Sequence, residues 1–316
     1  MKVVITGGAG FVGTNLSRHL LARGHDIKIL DDLSSGLASN VPNGVQFIEG
    51  SIVDAQLVKK TIAGADAVVH LGARGSVPRS IKNPIATHEV NATGTLNVLE
   101  GARSTNAHYL FSSSSSVYGA NMALPKNEEM VLKPLTPYAA SKMAGEALSL
   151  AYAKSYELPV TTFRFFNIFG PWQRPDHAYA AVIPKWIWQA MEKQEIIVHG
   201  DGEQTRDFTS AATAVAVITS ALENKTTHPE PVNLAFGNRI SLNEIIKDLQ
   251  GYFPDLKIKH IETRPGDVKD SQNQPTLIKS LFPDVIPQSF KDALLETKNW
   301  LAENSSKILN GPAATD

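Results

Sequence analysis

The stretch VVITGGAGFVGTNLSRHL, residues 3–20, constrains the fold more than any other part of the chain. An apolar run leads into Gly7, Gly10 and Gly13, and Val12, Leu16 and Leu20 then recur at helical spacing. Strand, tight turn and helix follow in that order. Gly8, Gly10 and Gly13 also satisfy G-x-G-x-x-G, whose glycines make the turn, admit a pyrophosphate to the backbone and let helix pack closely on strand. The anion would rest on the helix N-terminus, where free N–H groups and the dipole favour negative charge. Asp31 closes the next apolar strand, where a carboxylate accepts from a ribose 2′-hydroxyl and repels a 2′-phosphate. Residues 32–36, DLSSG, hold no Arg or Lys to offset that repulsion, so the pattern predicts NAD rather than NADP.

Apolar runs at 2–6, 26–30, 45–48, 66–71, 107–111 and 160–165 alternate with helical stretches. Most are continuous, as strands buried on both faces of a parallel sheet require. This predicts an α/β fold: a Rossmann-type doubly wound parallel sheet with right-handed crossovers. The texture changes near residue 171, where Pro and aromatic residues cluster. Residues 1–170 are therefore read as an NAD-binding domain, with part of the later chain returning to it. Residues 171–316 are read mainly as a smaller C-terminal α/β substrate-binding lobe. The net charge of −1 gives no basis for nucleic acid or an anionic membrane as partner. The absence of cysteine removes disulfides, thiolate metal sites and a cysteine nucleophile. The nine histidines show no ligand spacing, so no metal is expected, and His70, ending a buried-type strand, reads as a core residue. No leader-like start or apolar run near the ~20 residues of a membrane span is present, so a cytoplasmic protein is expected.

Two further stretches bear on chemistry. In FSSSSSVYG, residues 111–119, five serines follow an apolar strand. In YAASK, Tyr138 and Lys142 are four apart on one helical face. A nearby ammonium favours the phenolate and lowers a phenol pKa that starts near ~10. Such a tyrosine can take a proton from an alcohol while its carbon gives up hydride.

Taken together, TGGAGFVG, HLGA, FSSSSSVYG, YAASK and RFFNIFGP resemble the extended short-chain dehydrogenase/reductase family, and within it the nucleotide-sugar 4-epimerases of the UDP-glucose and UDP-N-acetylglucosamine type. The resemblance runs from residue 1 to about 300. It implies an NAD-dependent isomerase that interconverts UDP-sugars through a transient 4-keto sugar, with NAD retained through the cycle. Four residues before Tyr118 it places the catalytic hydroxyl on Ser114, bridging the sugar 4-OH and Tyr138. Related sugar dehydratases carry Asp and Glu at the next two positions. Here these are Ser115 and Ser116, which argues against water elimination.

Cofactor contacts are implied at the glycine turn, with Phe11 and Val12, and at the second strand, with Asp32, Leu33, Ser34, Ser35 and Gly36. The adenine edge falls on Ser51 and Ile52, and the HLGA strand brings Leu71, Gly72, Ala73 and Arg74. Asn91, Ser112, Tyr138, Lys142 and Phe166 complete the set. Arg74 is open to a phosphate or to solvent. On the substrate side the resemblance implies Asn167, Arg206 and Arg264 on the diphosphate, with Asp267 in the same cluster. Ile197 and His199 fall in the uracil-packing loop, and Ala181 and Val182 lie in a run similar to N-acetylhexosamine-accepting members. Ser271 stands beside the sugar C2 substituent, where a small residue admits an N-acetyl group. A homodimer is expected through the Tyr138 helix and the helix near NATGTLNVLEGA.

Some positions depart from the pattern. Ser51 replaces the usual adenine-binding Asp, TSAAT follows Phe208, and QNQPTLIKS follows Ser271. Thr213 is expected to cap the helix after it. Two alternatives stay open: a UDP-glucuronate 4-epimerase, and a catalytically silent NAD- and nucleotide-sugar-binding protein.

Overall fold

The computed structural model describes residues 1–176, 180–263 and 270–309. Its centre is a seven-stranded, fully parallel sheet. From edge to edge the strands are Val232–Leu234, Val160–Phe165, His108–Ser114, Ala67–His70, Lys2–Thr6, Asp26–Asp31 and Gln46–Glu49. The doubly wound expectation is met.

Alternate residues explain why helices cover both faces. Val3, Ile5, Ile27 and Ile29 point to one side, against Leu16 and Leu20 of helix Phe11–Ala22 and Val215, Ile218 and Leu222 of helix Ala211–Glu223. Val4, Leu30 and Val68 point to the other, against Val58 and Ile62 of helix Ala55–Ile62 and Val98, Leu99 and Ala102 of helix Gly94–Thr105. Tyr152 of helix Pro137–Tyr156 joins that second layer. A third core gathers Phe169, Trp186, Ile187, Phe208, Ile245, Leu249, Leu294 and Leu301 from the later chain. Strand Val232–Leu234 lies on the large sheet, whereas Ile196–His199 pairs with Ile258–Ile261 beside that third core.

Strand order reverses between Lys2–Thr6 and Ala67–His70. A crevice opens at such a switch point, outside the carboxyl ends of the strands. Gly7, with φ +71°, turns the chain there, and a Cβ on it would lie 2.6 Å from the Gly72 nitrogen.

The serine run is not a loop after a strand. Strand His108–Ser114 continues through the first three serines, pairing as far as Ser114 with Phe165. Thr213 is not the helix cap expected of it. Ser210 caps Ala211–Glu223 by accepting from the Thr213 N–H at 3.1 Å, because Ser210 is the last residue with extended backbone. The Thr213 hydroxyl instead accepts from the Gln288 N–H at 2.9 Å.

Candidate active site

Three cavities adjoin along the carboxyl end of the sheet. The first, about 510 Å³, opens at the switch point and is lined by Gly7, Gly10, Asp31, Arg74, Ser114 and Tyr138, among others. The second, about 750 Å³, shares Ser114, Tyr138, Phe165 and Phe166 with the first and adds Ser115, Ser116, Lys126 and Ser271. The third, about 520 Å³, shares Val77, Pro78, Asn167 and Arg206 with the second and adds Val182, Ile197 and His199.

The first cavity fits a dinucleotide. Helix Phe11–Ala22 begins at Gly10 with no side-chain cap and no acidic residue in its first turn, leaving its N–H groups open to an anion. A Cβ on Gly13 would lie 2.4 Å from the Gly7 carbonyl oxygen, so the close turn needs glycine. Asp31 is held by the N–H groups of Ala9 and Leu33, each at 2.9 Å, and burial pushes its carboxyl up from the usual range. Arg74 lines this cavity, and its Nε is buried without a hydrogen-bond partner among the described residues.

Other expected cofactor residues have different placements. Asn91 is buried and accepts from Arg74 N–H at 2.7 Å while donating to the Arg74 carbonyl and to Ser141, so it holds the loop after His70. Gly36 packs its backbone on Ala9, where a Cβ would lie 2.8 Å from the Ala9 carbonyl carbon. Ser51 Oγ accepts from Val53 N–H at 3.2 Å and closes a turn of its own, while Ile52 reaches the cavity. Asp32 accepts from the Ser34 N–H and hydroxyl, ordering the loop that carries Leu33. His70 is a core residue, as expected. Its ring nitrogens bond Thr6 at 2.6 Å and Thr95 at 2.9 Å, and burial takes its pKa down to about 3.

The reactive groups meet where the first two cavities join. Helix Pro137–Tyr156 starts at Thr136, whose side chain caps the Ala139 N–H, and this aims Tyr138 and Lys142 at the end of the serine strand. Lys142 is 4% exposed, and its Nζ donates to the Ser112 carbonyl at 2.8 Å. Burial lowers its pKa to about 8, and the Glu146 charge pulls the other way. The expected lowering of the phenol is not found in the protein alone: burial pushes Tyr138 up, and Ser114, hydrogen-bonding to the phenol, opposes that rise. The physical reason is that Lys142 spends its ammonium on the Ser112 carbonyl while the protein packed around the phenol disfavours its charged form.

In the second cavity Ser116 Oγ is buried with no partner among the described residues, an acceptor and donor left for a polar ligand. Lys126, which no sequence motif marks, is 6% exposed on the same wall. Its backbone exchanges hydrogen bonds with Gln272 and Gln274, a pairing across about half the chain that only folding creates. Asn167 and Arg206 stand between the second and third cavities, with Asn167 paired through its strand to Phe208. Ala181 precedes helix Val182–Met191, and its neighbours Ala180 and Val182 line the third cavity. Arg264 and Asp267 lie outside the described residues.

The model of the NAD dependent epimerase/dehydratase family matches residues 3–235. The chain belongs to that family. Its cofactor is accordingly NAD, and the isomerase expectation holds at the level of the epimerase family. Among its relatives, the UDP-N-acetyl-alpha-D-glucosaminuronate decarboxylase of Bacillus cytotoxicus is 32% identical, over 96% of this chain and 98% of the relative. The UDP-glucuronate 4-epimerase of Thermodesulfobacterium geofontis is also 32% identical, over 96% and 97%. Among solved structures, the UDP-N-acetylglucosamine 4-epimerase of Methanobrevibacter ruminantium M1, in complex with UDP-N-acetylmuramic acid, superposes with a TM-score of 0.90 at 31% identity, covering 96% of this chain and 98% of that one. The family thus spans epimerases and decarboxylases on one fold. Among the described residues, no helix is long and apolar enough to cross a membrane.

Proposed function

We propose that the protein interconverts the C4 epimers of UDP-sugars, UDP-GlcNAc with UDP-GalNAc and UDP-Glc with UDP-Gal, through a transient 4-keto sugar. The continuity of the three cavities carries this reading. A dinucleotide site meets a sugar-sized space at Ser114 and Tyr138, and that space meets a third cavity at Asn167 and Arg206. NAD bound at the glycine turn supplies a reversible hydride acceptor. Tyr138 takes the 4-OH proton, with the Ser114 hydroxyl as bridge, and later returns it to the same oxygen. Lys142 keeps a positive charge beside this exchange. Arg206 and Arg264, with Asn167, anchor the diphosphate while the sugar turns, and Asp267 orients an arginine of that cluster or meets a ribose hydroxyl. Ser115 and Ser116 offer no acid–base pair for elimination. Cytoplasmic residence, and a homodimer through helices Gly94–Thr105 and Pro137–Tyr156, belong to the same reading; light scattering should give twice 34.2 kDa.

A UDP-uronate is the second reading, favoured by Lys126, a lysine that lines the sugar cavity while its ammonium donates to the Asn121 carbonyl. The deciding experiment incubates purified protein with UDP-Glc, UDP-GlcNAc or UDP-GlcA without added NAD and follows each by proton NMR. Formation of the axial 4-OH isomer is expected with the neutral sugars. No conversion of any of the three overturns the reading, and conversion of UDP-GlcA alone selects the second.

A further inference from the structure

Behind the reactive groups lies a buried polar cluster that the proton exchange does not use. Glu146 is one turn beyond Lys142 on helix Pro137–Tyr156 and is 3% exposed. Its Oε1 accepts from the Ser113 hydroxyl at 2.5 Å and from Arg164 Nε at 3.0 Å, and its Oε2 accepts from Arg164 NH2 at 3.0 Å. Arg164, also 3% exposed, donates through NH1 to the Tyr118 hydroxyl at 3.0 Å. Tyr118 donates in turn to Asn233 at 2.7 Å.

Ser113 sits between two residues with work to do. The Ser112 carbonyl holds the Lys142 ammonium, and Ser114 lies beside the Tyr138 phenol. Fixing Ser113 to the helix therefore fixes both neighbours against the same helix that carries Tyr138 and Lys142. A buried carboxylate costs several kcal/mol of desolvation unless paired. Here Arg164 meets it through two hydrogen bonds, and the pair stays where a neutral side chain would pack more cheaply.

We propose that Glu146 is a positioning residue for the epimerase site: through Ser113 and Arg164 it clamps the end of the serine strand to the Tyr138 helix, and so holds the Ser112 carbonyl under the Lys142 ammonium with a carboxylate one turn away. The part played in turnover rests on the 4-epimerase reading. Other charged and titratable groups face the pair. Arg164 NH1 also donates to the Glu128 carbonyl at 3.3 Å, and the Glu128 carboxylate feels the Arg164 charge. Tyr118 accepts from Arg164, His70 on the same interior is kept neutral by burial, and His108 sits at the far end of its strand. Arg79 is half-buried, and Lys82, His88, Glu89, Glu100 and Arg103 are exposed on the elements packed against this helix.

The test compares wild type with Glu146→Gln, which keeps hydrogen-bonding capacity toward Ser113 and removes the charge, and with Glu146→Asp, which keeps the charge and shortens the reach. In Glu146→Gln the basic limb of the kcat pH profile should move to lower pH by about one unit, the scale of one lost opposite charge nearby. KM and the bound NAD content should stay within twofold of wild type, and Glu146→Asp should recover part of the shift. Lysine-edited NMR, with Lys142→Met for assignment, should show the Lys142 titration moving the same way without any substrate. An unchanged lysine titration in Glu146→Gln overturns the proposal. If Glu146→Gln does not fold, Ser113→Ala must reduce kcat at constant KM, and an unaltered kcat there overturns it instead. A wild type inactive on every UDP-sugar defeats the functional reading alone, because the lysine titration still reports on Glu146.

Discussion

Tyr138 and Ser114 stand on different elements and meet only at the junction of two cavities. Tyr138→Phe removes the group that holds the proton and should lower turnover by roughly 10²–10⁴-fold. Bound NAD, measured by absorbance after denaturation, should be unchanged. Ser114→Ala leaves the phenol in place and should cost less than Tyr138→Phe in the same assay. Ser271 bears on which sugar fits, since it lines the second cavity together with the serines. Ser271→Tyr should suppress turnover of UDP-GlcNAc while sparing UDP-Glc, and equal loss of both would show that the side chain does not face the C2 substituent. Lys126→Met removes the ammonium of a residue that lines the same cavity. It should depress any UDP-GlcA conversion relative to UDP-Glc, read as the ratio of the two kcat/KM values.

Elements fix how close these groups come. The turn between Lys2–Thr6 and Phe11–Ala22 closes so tightly that a Gly13 Cβ would lie 2.5 Å from the Gly8 Cα, with backbone rather than a flexible side chain in the way. Gly13→Ala should therefore lower stability by about 1–3 kcal/mol, in line with other overpacked sites. Urea unfolding measures this, and bound NAD should be lost with it. Gly75, on the same cavity, has nothing within 4 Å of a built Cβ, so Gly75→Ala should leave the urea midpoint unmoved. The serine strand makes a similar point. Its side chains are polar, yet Ser112 donates to the His70 carbonyl at 3.0 Å and Ser113 to Glu146 at 2.5 Å, so a buried strand tolerates them.

At the scale of the whole molecule, protons taken up on unfolding set the pH dependence of stability. His70 and His108 are buried, with pKa values lowered by burial to about 3 and about 4. Their unfolded values are near ~6.5, so between pH 6 and 5 the unfolded chain binds more protons at these sites, and they weaken the fold as pH falls. Asp207, raised by burial to about 6, acts in the opposite sense, because the folded chain takes its proton first. Each group contributes up to about 1.4 kcal/mol per pH unit. Relative to wild type, His108→Gln should lose less stability between pH 6 and 5, and Asp207→Asn should lose more, both measured by urea midpoints.

The sequence alone determined the parallel sheet, the glycine turn, Asp31 and the Tyr138–Lys142 spacing, because short-range patterns of burial and backbone freedom encode them. Six of the seven sheet strands were legible as apolar runs between residues 2 and 165, and the seventh, Val232–Leu234, comes from the later chain, part of which is read as returning to the large sheet. What only the tertiary structure decided depends on contacts between distant residues. Ser113 meets Glu146 across 33 positions, Asn233 meets Tyr118 across 115, and Lys126 reaches the sugar cavity through pairing with Gln272 and Gln274. The same holds for the charge on the site. Spacing put an ammonium one turn from a phenol, but burial raised that phenol and a carbonyl engaged the ammonium, since desolvation is a property of the packed interior and not of the local sequence.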